Sequence, residues 1–337
     1  SDGAYQNVVG LTSNKPFNAD FAWELTRKSE AGLELGFLDD KILFSSCYYI
    51  YRSSNQLVPY PLPDITGAGS IIGNLPALIS NTGLEFALSA MHIRYKKFEW
   101  ASSFNISFAH NKLIRYPDPT IPFPGATRFI AGEALSQQYV ATSMGVDPAT
   151  GAYLFADAHN QPVSAEDAEV AGNNAQDITP VCYGGWRNNF QLGAFSLDIL
   201  LQFVRQKGLN TTFDPDYMPG YAQNQYTVAL PRWQKPGDVS SHQRFTQNAT
   251  LQKGYKKAMA SDLGYEDAGF IRCRYVEANW SFPTALLRRL HIQEGRLYIQ
   301  GQNLFTLTRY NGLDPETQSR TTLPPLRVLT CGLKIAL

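Results

Sequence analysis

The chain has 337 residues, with 29 basic and 29 acidic side chains, 44% hydrophobic, 12% aromatic and only 17% charged residues. Zero net formal charge lacks the basic excess of a nucleic-acid binder, so no nucleic acid is expected as a partner. Abundant Tyr and Phe exclude disorder, and no apolar run reaches the 18 residues a helical membrane span needs.

Taken in chain order, period-two alternation predicts strands over 27–37, 41–51, 82–92, 98–108, 185–192, 194–204, 270–282, 295–307 and 327–337. The pattern is plain over Phe195 to Phe203, where Phe195, Leu197, Ile199, Leu201 and Phe203 alternate with Ser196, Asp198, Leu200 and Gln202. It recurs at the C-terminal stretch, where Leu329, Cys331, Leu333, Ile335 and Leu337 share one face. No helical period is comparably sustained, apart from a short turn between Ala285 and Leu290. The expected class is all-β.

Alternation suits a soluble sandwich and a membrane barrel equally, since both have one wet and one dry face. The connections separate the two. They run short at Asp39-Asp40, long over 52–81, short over 93–97 and very long over 109–184. They continue minimal at Gly193, long over 205–269, moderate over 283–294 and long over 308–326. Short periplasmic turns alternating with long extracellular loops are the rhythm of a transmembrane antiparallel β-barrel. Nine crossings make an odd count, and a further hairpin around Gln137–Ser143 and Ala152–Phe155 would make eleven, whereas single-chain bacterial barrels have even counts. The opening Ser-Asp-Gly-Ala-Tyr has neither a basic nor an apolar leader region. Residues 1–337 are therefore expected to be one part of a single larger barrel domain.

Several segments resemble the SusC/RagA-type TonB-linked outer-membrane transporters of Bacteroidetes. The closest run is Phe270 to Leu337, with Phe270-Ile271-Arg272, Gln302-Asn303-Leu304-Phe305-Thr306 and Gly312-Leu313-Asp314-Pro315-Glu316 in that order. Asn81 to Glu85, Trp100 to Asn111, Tyr183 to Phe190 and Arg232-Trp233-Gln234-Lys235-Pro236-Gly237-Asp238 add to it. The resemblance implies the C-terminal barrel portion, about 9–11 strands, of a 22-stranded barrel in the bacterial outer membrane. It also implies that the plug domain, TonB box and signal peptide of such proteins are absent from these residues. It implies import of an oligosaccharide or oligopeptide, coupling to the TonB complex through the missing N-terminal part, and a SusD-like surface lipoprotein as partner.

The last residues resemble the insertion signal read by the barrel-assembly machinery, with Thr330, Gly332, Ile335 and Leu337 at the matching positions, although Leu337 stands where Phe is usual. An ordinary closing strand would read the same way. Trp23, Tyr48, Tyr49, Tyr51, Trp100 and Trp280 are candidates for aromatic girdles against outer-membrane lipid. Phe213, Tyr217, Tyr221, Tyr226 and Trp233 lie in a long loop, where aromatic rings either contact substrate or the lipoprotein lid, or pack among themselves. Asp157, Asn160, Glu166 and Asp167 lack the acid spacing and glycine of a calcium loop, and no cofactor or metal is expected.

Cys47, Cys182, Cys273 and Cys331 form no C-x-x-C pair and read as isolated small residues. His92, His110, His159, His242 and His291 are scattered without a catalytic motif, so no enzyme is expected. The alternative is a soluble all-β carbohydrate-binding or adhesion module, whose apolar strand faces would meet each other instead of lipid.

Overall fold

The computed structural model describes residues 4–5, 8–9, 17–66, 69–116, 129–168, 174–213, 218–220, 224–225 and 227–336. Its main element is a sheet of nine strands: β1 (Leu25–Phe37), β2 (Ile42–Pro61), β3 (Ser70–Tyr95), β4 (Phe98–Arg115), β5 (Cys182–Leu192), β6 (Phe195–Arg205), β7 (Phe270–Ser281), β8 (Glu294–Thr308) and β9 (Val328–Ala336). Each strand pairs with its chain neighbour, so the order is a simple meander.

The tight turns follow from residues that tolerate left-handed backbone. Leu38, Asp39 and Asp40 all have positive φ between β1 and β2, Lys96 does so between β3 and β4, and Gly193 between β5 and β6. The two-residue turns at 96–97 and 193–194 need this geometry to match strand twist, while the β1–β2 turn spans 38–41. These three turns, with the connection 282–293, lie at one end of the meander, and the connections 62–69, 116–181, 206–269 and 309–327 at the other.

Three expectations are corrected. The connection expected over 52–81 is mostly strand, because β2 runs on to Pro61 and β3 starts at Ser70. A barrel strand crosses a bilayer in about 9–11 residues, so the 26 residues of β3 continue far beyond it. Outside lipid neither face must be apolar, and Arg52-Ser53-Ser54-Asn55-Gln56 pairs through its backbone without alternation. The hairpin expected in 137–155 is not a tenth and eleventh crossing: Ser143–Val146, Tyr153–Ala156 and Pro162–Val163 form their own three-stranded sheet. Helix α1 (Ala249–Met259) was not expected; Asn248 caps it, its side chain accepting from the Thr250 and Leu251 amides. The turn foreseen near Ala285 is α2 (Thr284–Leu290).

The registers assign both faces of β4 to β9. Trp100, Phe190, Leu197, Ala278, Ile299 and Cys331 form one row across six strands, each pair directly opposed. The adjoining rows on that face hold Leu192, Phe195, Trp280, Leu297 and Leu333 on one side and Asn188, Ile199, Val276, Gly301 and Leu329 on the other, followed by Trp186, Leu201 and Cys273. The other face carries Asn189, Asp198, Glu277, Gln300 and Thr330 in one row and Gln191, Ser196, Asn279, Tyr298 and Gly332 in the next. Leu297, Ile299, Leu333 and Ile335 are 43–59% exposed. Among the described residues no second sheet covers this apolar face, which is the arrangement of a strand wall facing lipid, not of a soluble sandwich.

Trp100 and Trp280 sit on that face beside the tight turns, ringed by Phe190, Phe195 and Phe282 at centroid distances of 5.2–6.4 Å. Trp23 lies outside the sheet strands and is exposed.

Contacts divide the chain into two compact units. The first lies within Ser1–Glu30, Tyr49–Thr82 and His110–Leu135, and its small core is Leu75, Ala77 and Leu113. The second lies within Ala31–Tyr48, Gly83–Ala109 and Ser136–Leu337. Its core is Ala141, Val146, Tyr153, Phe155, Ala168, Phe213, Met218, Trp233, Tyr255 and Ala258, all contributed by the two longest connections.

Candidate functional site

The polar face carries its densest chemistry where β7 is irregular. Opposite β6, Leu200 pairs with Tyr275 and Leu201 with Cys273, leaving Arg274 as a bulge residue. Opposite β8, Cys273 pairs with Phe305 and Tyr275 with Gln302, and Asn303 in the skipped step has a φ of 50°. A bulge adds one residue and shifts the side-chain alternation by one. Without it, Arg274 would share the lipid-facing side with Val276, Ala278 and Trp280. With it, both Arg272 and Arg274 serve the polar side.

Their carboxylate partners come from the connection after β8. Arg272 donates through Nε to Thr306 Oγ1 at 2.9 Å, through Nη1 to Glu316 Oε2 at 2.7 Å, and through Nη2 to Asp314 Oδ2. Arg274 donates through Nη2 to both Glu316 oxygens, at 2.5 and 2.7 Å, and through Nε to Gln202 Oε1. The Arg272 and Asp314 side chains are 1% and 4% exposed. A charge buried this deeply is tolerable only when paired and hydrogen-bonded, and this network meets that condition. Gln206 Nε2 donating to the Pro315 carbonyl at 2.8 Å, and Tyr310 Oη to the Leu209 carbonyl at 2.9 Å, complete the attachment. The Gly312 to Glu316 segment is thus a bracket pinned to the polar face, a role the sequence motif alone did not reveal. Two arginines on what alternation makes the lipid-facing side of β7 were the available signal.

Nearer the tight turns, Arg187 Nε donates to both Asp198 oxygens, at 2.9 and 3.0 Å. Gly184 is required on the opposite face, because a Cβ there would lie 2.1 Å from the Asn105 carbonyl and 2.6 Å from the Phe203 ring. That ring stacks on Phe104 with centroids 5.6 Å apart.

The loop aromatics are placed as follows. Trp233 is buried; its Nε1 donates to the Pro148 carbonyl and its ring fills the space above Gly151, whose φ is 71° and whose Cβ would be 2.4 Å away. The Gly237 amide donates to the same carbonyl, and Asp238 accepts from the Gln234 and Lys235 amides, so the motif 232–238 is a turn clamped onto the hairpin at 147–151. Phe213 is also buried, against Tyr153, Tyr255 and His242. Both rings are occupied in the loop core. Tyr217, Tyr221 and Tyr226 lie outside the described residues.

Beside Phe213 opens a cavity of about 760 Å³. Asn210, Thr227, His242, Asn311, Leu313 and Arg320 line it. Arg320 Nη2 donates to the Phe213 carbonyl, and the His242 ring lies over Phe213 with Nδ1 2.9 Å from Ser241 Oγ. Burial pushes the His242 imidazole below its ordinary value, so it presents a neutral ring. Mixed amide, hydroxyl and guanidinium groups around an apolar base suit a polar ligand.

Asp157 is held in a turn: its Oδ1 accepts the Gln161 and His159 amides, both at 2.8 Å, and these bonds, Gln161 first, keep its carboxyl below the usual range. Thr330 and Gly332 lie on the polar face of β9, opposite Gln300 and Tyr298, while Ile335 lies on the apolar face opposite Gly295. Tyr298 crosses Gly332 so closely that a Cβ would lie 2.4 Å from its ring. Leu337 lies outside the described residues. All four cysteines are free.

The wall of antiparallel strands, with one apolar and one polar face, defines a portion of an outer-membrane β-barrel. Comparison with known proteins narrows the class. No family model matches the chain. It is 27% identical over 372 residues to TonB-dependent receptor P3 of Formosa agariphila, covering 98% of this chain and 36% of that protein. It is 25% identical over 340 residues to TonB-dependent receptor SusC of Bacteroides thetaiotaomicron, covering 96% and 33%. Among solved structures, the RagAB peptide transporter superposes with a TM-score of 0.80 at 20% identity, over 99% of this chain and 38% of that one. The closed-closed state of the RagAB peptide importer gives 0.82 at 21%. The chain matches a barrel portion of the SusC/RagA type of TonB-dependent receptors, and it spans about a third of the length of the curated relatives it matches. Its place is the bacterial outer membrane.

Proposed function

We infer that this chain forms part of the wall and the outer loops of a TonB-dependent importer for an oligosaccharide or oligopeptide. The observation carrying this reading is the bracket at Asp314 and Glu316, which fixes loop structure and its polar cavity against the polar face of a lipid-exposed wall. A receptor that admits solute through a barrel needs that combination: a wall stable in lipid and a recognition surface anchored at its mouth. The similarity to RagAB, described as a peptide transporter, supports an oligopeptide, while the names of the TonB-dependent receptors specify no substrate, so both classes stay in the reading.

In this reading residues 1–337 are the C-terminal part of one barrel domain. A plug and TonB-contacting segment lie elsewhere in the protein, and a SusD-like lipoprotein covers the loops. Thr330, Gly332, Ile335 and Leu337 present the closing strand to the barrel-assembly machinery. The protein acts as a transporter and catalyses no reaction.

Deleting the gene and measuring energy-dependent uptake of labelled oligopeptide and oligosaccharide mixtures tests the reading. Loss of uptake of one class supports it. Unchanged uptake of both, with the protein present in wild-type outer membranes, refutes it.

A further inference from the structure

The apolar face ends abruptly at the loop side of β6, β7 and β8. Phe203, Ile271 and Leu307 form its last large apolar row. Continuing the registers, the next row is Arg205, Gly269 and Arg309. From Phe195 to Arg205 the strand rises about 33 Å, which a tilt of ~40° reduces to about 25 Å, the height of the apolar band of such barrels. The two arginines therefore stand at the outer headgroup level.

They are two strands apart, about 10 Å, and Gly269 between them carries no side chain. Both are exposed, and among the described residues neither guanidinium has an ion pair. A cleft of about 760 Å³ opens here, floored by Phe203, Ile271 and Leu307 and rimmed by Arg205, Lys207 and Arg309. Its one carboxylate, Asp267, is turned to the Gly269 amide at 2.9 Å, and Lys207 Nζ donates to Gln176 Oε1 at 2.9 Å. Cations above an apolar floor, at headgroup height on the lipid-facing side, match an amphiphile with a phosphate head and acyl tails.

We propose that Arg205 and Arg309, astride Gly269, bind the phosphate of a phosphorylated glycolipid of the outer leaflet. Planar guanidinium forks take phosphate oxygens in pairs, and the glycine gap gives the headgroup room between them. The acyl chains then lie along the Phe203, Ile271 and Leu307 row.

The test uses the protein purified from outer membranes and delipidated in neutral detergent, with native mass spectrometry as the readout. It is titrated with monophosphoryl lipid A, the dephosphorylated glycolipid and inorganic phosphate. The wild type is expected to prefer the phosphorylated lipid by at least about tenfold, with millimolar inorganic phosphate failing to displace it. R205Q/R309Q and, independently, G269E are expected to lose the preference, and R205K/R309K, which keeps the charge but not the paired donors, to retain only part of it. Heat-modifiable migration confirms that each variant is folded. Equal binding of the two lipids by wild type overturns the proposal, as does a preference surviving in both R205Q/R309Q and G269E. Displacement by inorganic phosphate also overturns it, by making the cradle a site for the free ion.

Discussion

Replacing Arg272 with Met removes the cation at the centre of the bracket while keeping its aliphatic bulk. Asp314, 4% exposed, then loses the one charged partner it has among the described residues, and Glu316 keeps Arg274. Removing one member of a buried ion pair costs about 3–5 kcal/mol, because the remaining charge is stranded away from water. Two backbone amides, from Glu316 and Thr317, still donate to Asp314 Oδ1 at 3.0 and 3.1 Å, so the lower end of that range applies. About 3 kcal/mol corresponds to roughly two decades in the local opening equilibrium. Hydrogen exchange followed by mass spectrometry over residues 309–320 should therefore show protection falling about a hundredfold in R272M. In R272M/D314N no lone charge remains buried, and much of that protection should return. Protection in R272M within about threefold of wild type would refute the claim that the ion network holds the bracket.

Three further outcomes follow from the same geometry. W233A should destabilise the loop core by about 3–5 kcal/mol, read as faster limited proteolysis within 205–269, and G151V should produce the same lesion from the opposite side of the contact. G184V should lower the yield of heat-modifiable, folded barrel several-fold, since its side chain would collide with the Asn105 carbonyl; normal assembly would count against the tight packing of β4 and β5. His242 titrates lower folded than unfolded, so the native state binds fewer protons and stability rises with pH. That contribution is present above the unfolded value of about 6.5 and is lost as pH falls through the folded value. Protease sensitivity of the loops should therefore rise on acidification, and H242F should flatten that dependence.

The wall strands were legible in the sequence because lipid on one side and water on the other force strict alternation. Phe195 to Phe203 and Leu329 to Ile335 read correctly for that reason. Legibility failed wherever that pressure lapses. Residues 52–61 pair as strand without clean alternation, and the apolar positions of 70–81, Leu75 and Ala77, turn to a small core with the distant Leu113. Helix α1 carries its buried Gly254, Tyr255 and Ala258 at helical spacing, but Lys253, Lys256 and Lys257 dilute the signal. The loop core gathers residues from 141 to 258, and no local pattern announces contacts so distant in sequence. The ion bracket lay in plain view as two family-like motifs, yet its geometry depends on a shift of alternation at Arg274.

That shift also limits how the sequence can drift. In the wall, each residue's side is an odd-or-even property counted from the tight turn. A single insertion between Trp280 and Tyr275 would exchange the lipid-facing and solvent-facing sets for the rest of β7. Length changes there survive only in pairs, or beside a compensating step such as the one already present at Arg274. Beyond Arg309 the odd-or-even count no longer applies, and length there is limited instead by the bracket at Gly312 to Glu316 and by Arg320 on the Phe213 carbonyl. Homologous walls should accordingly differ by even-numbered steps, with freer variation confined to the loops.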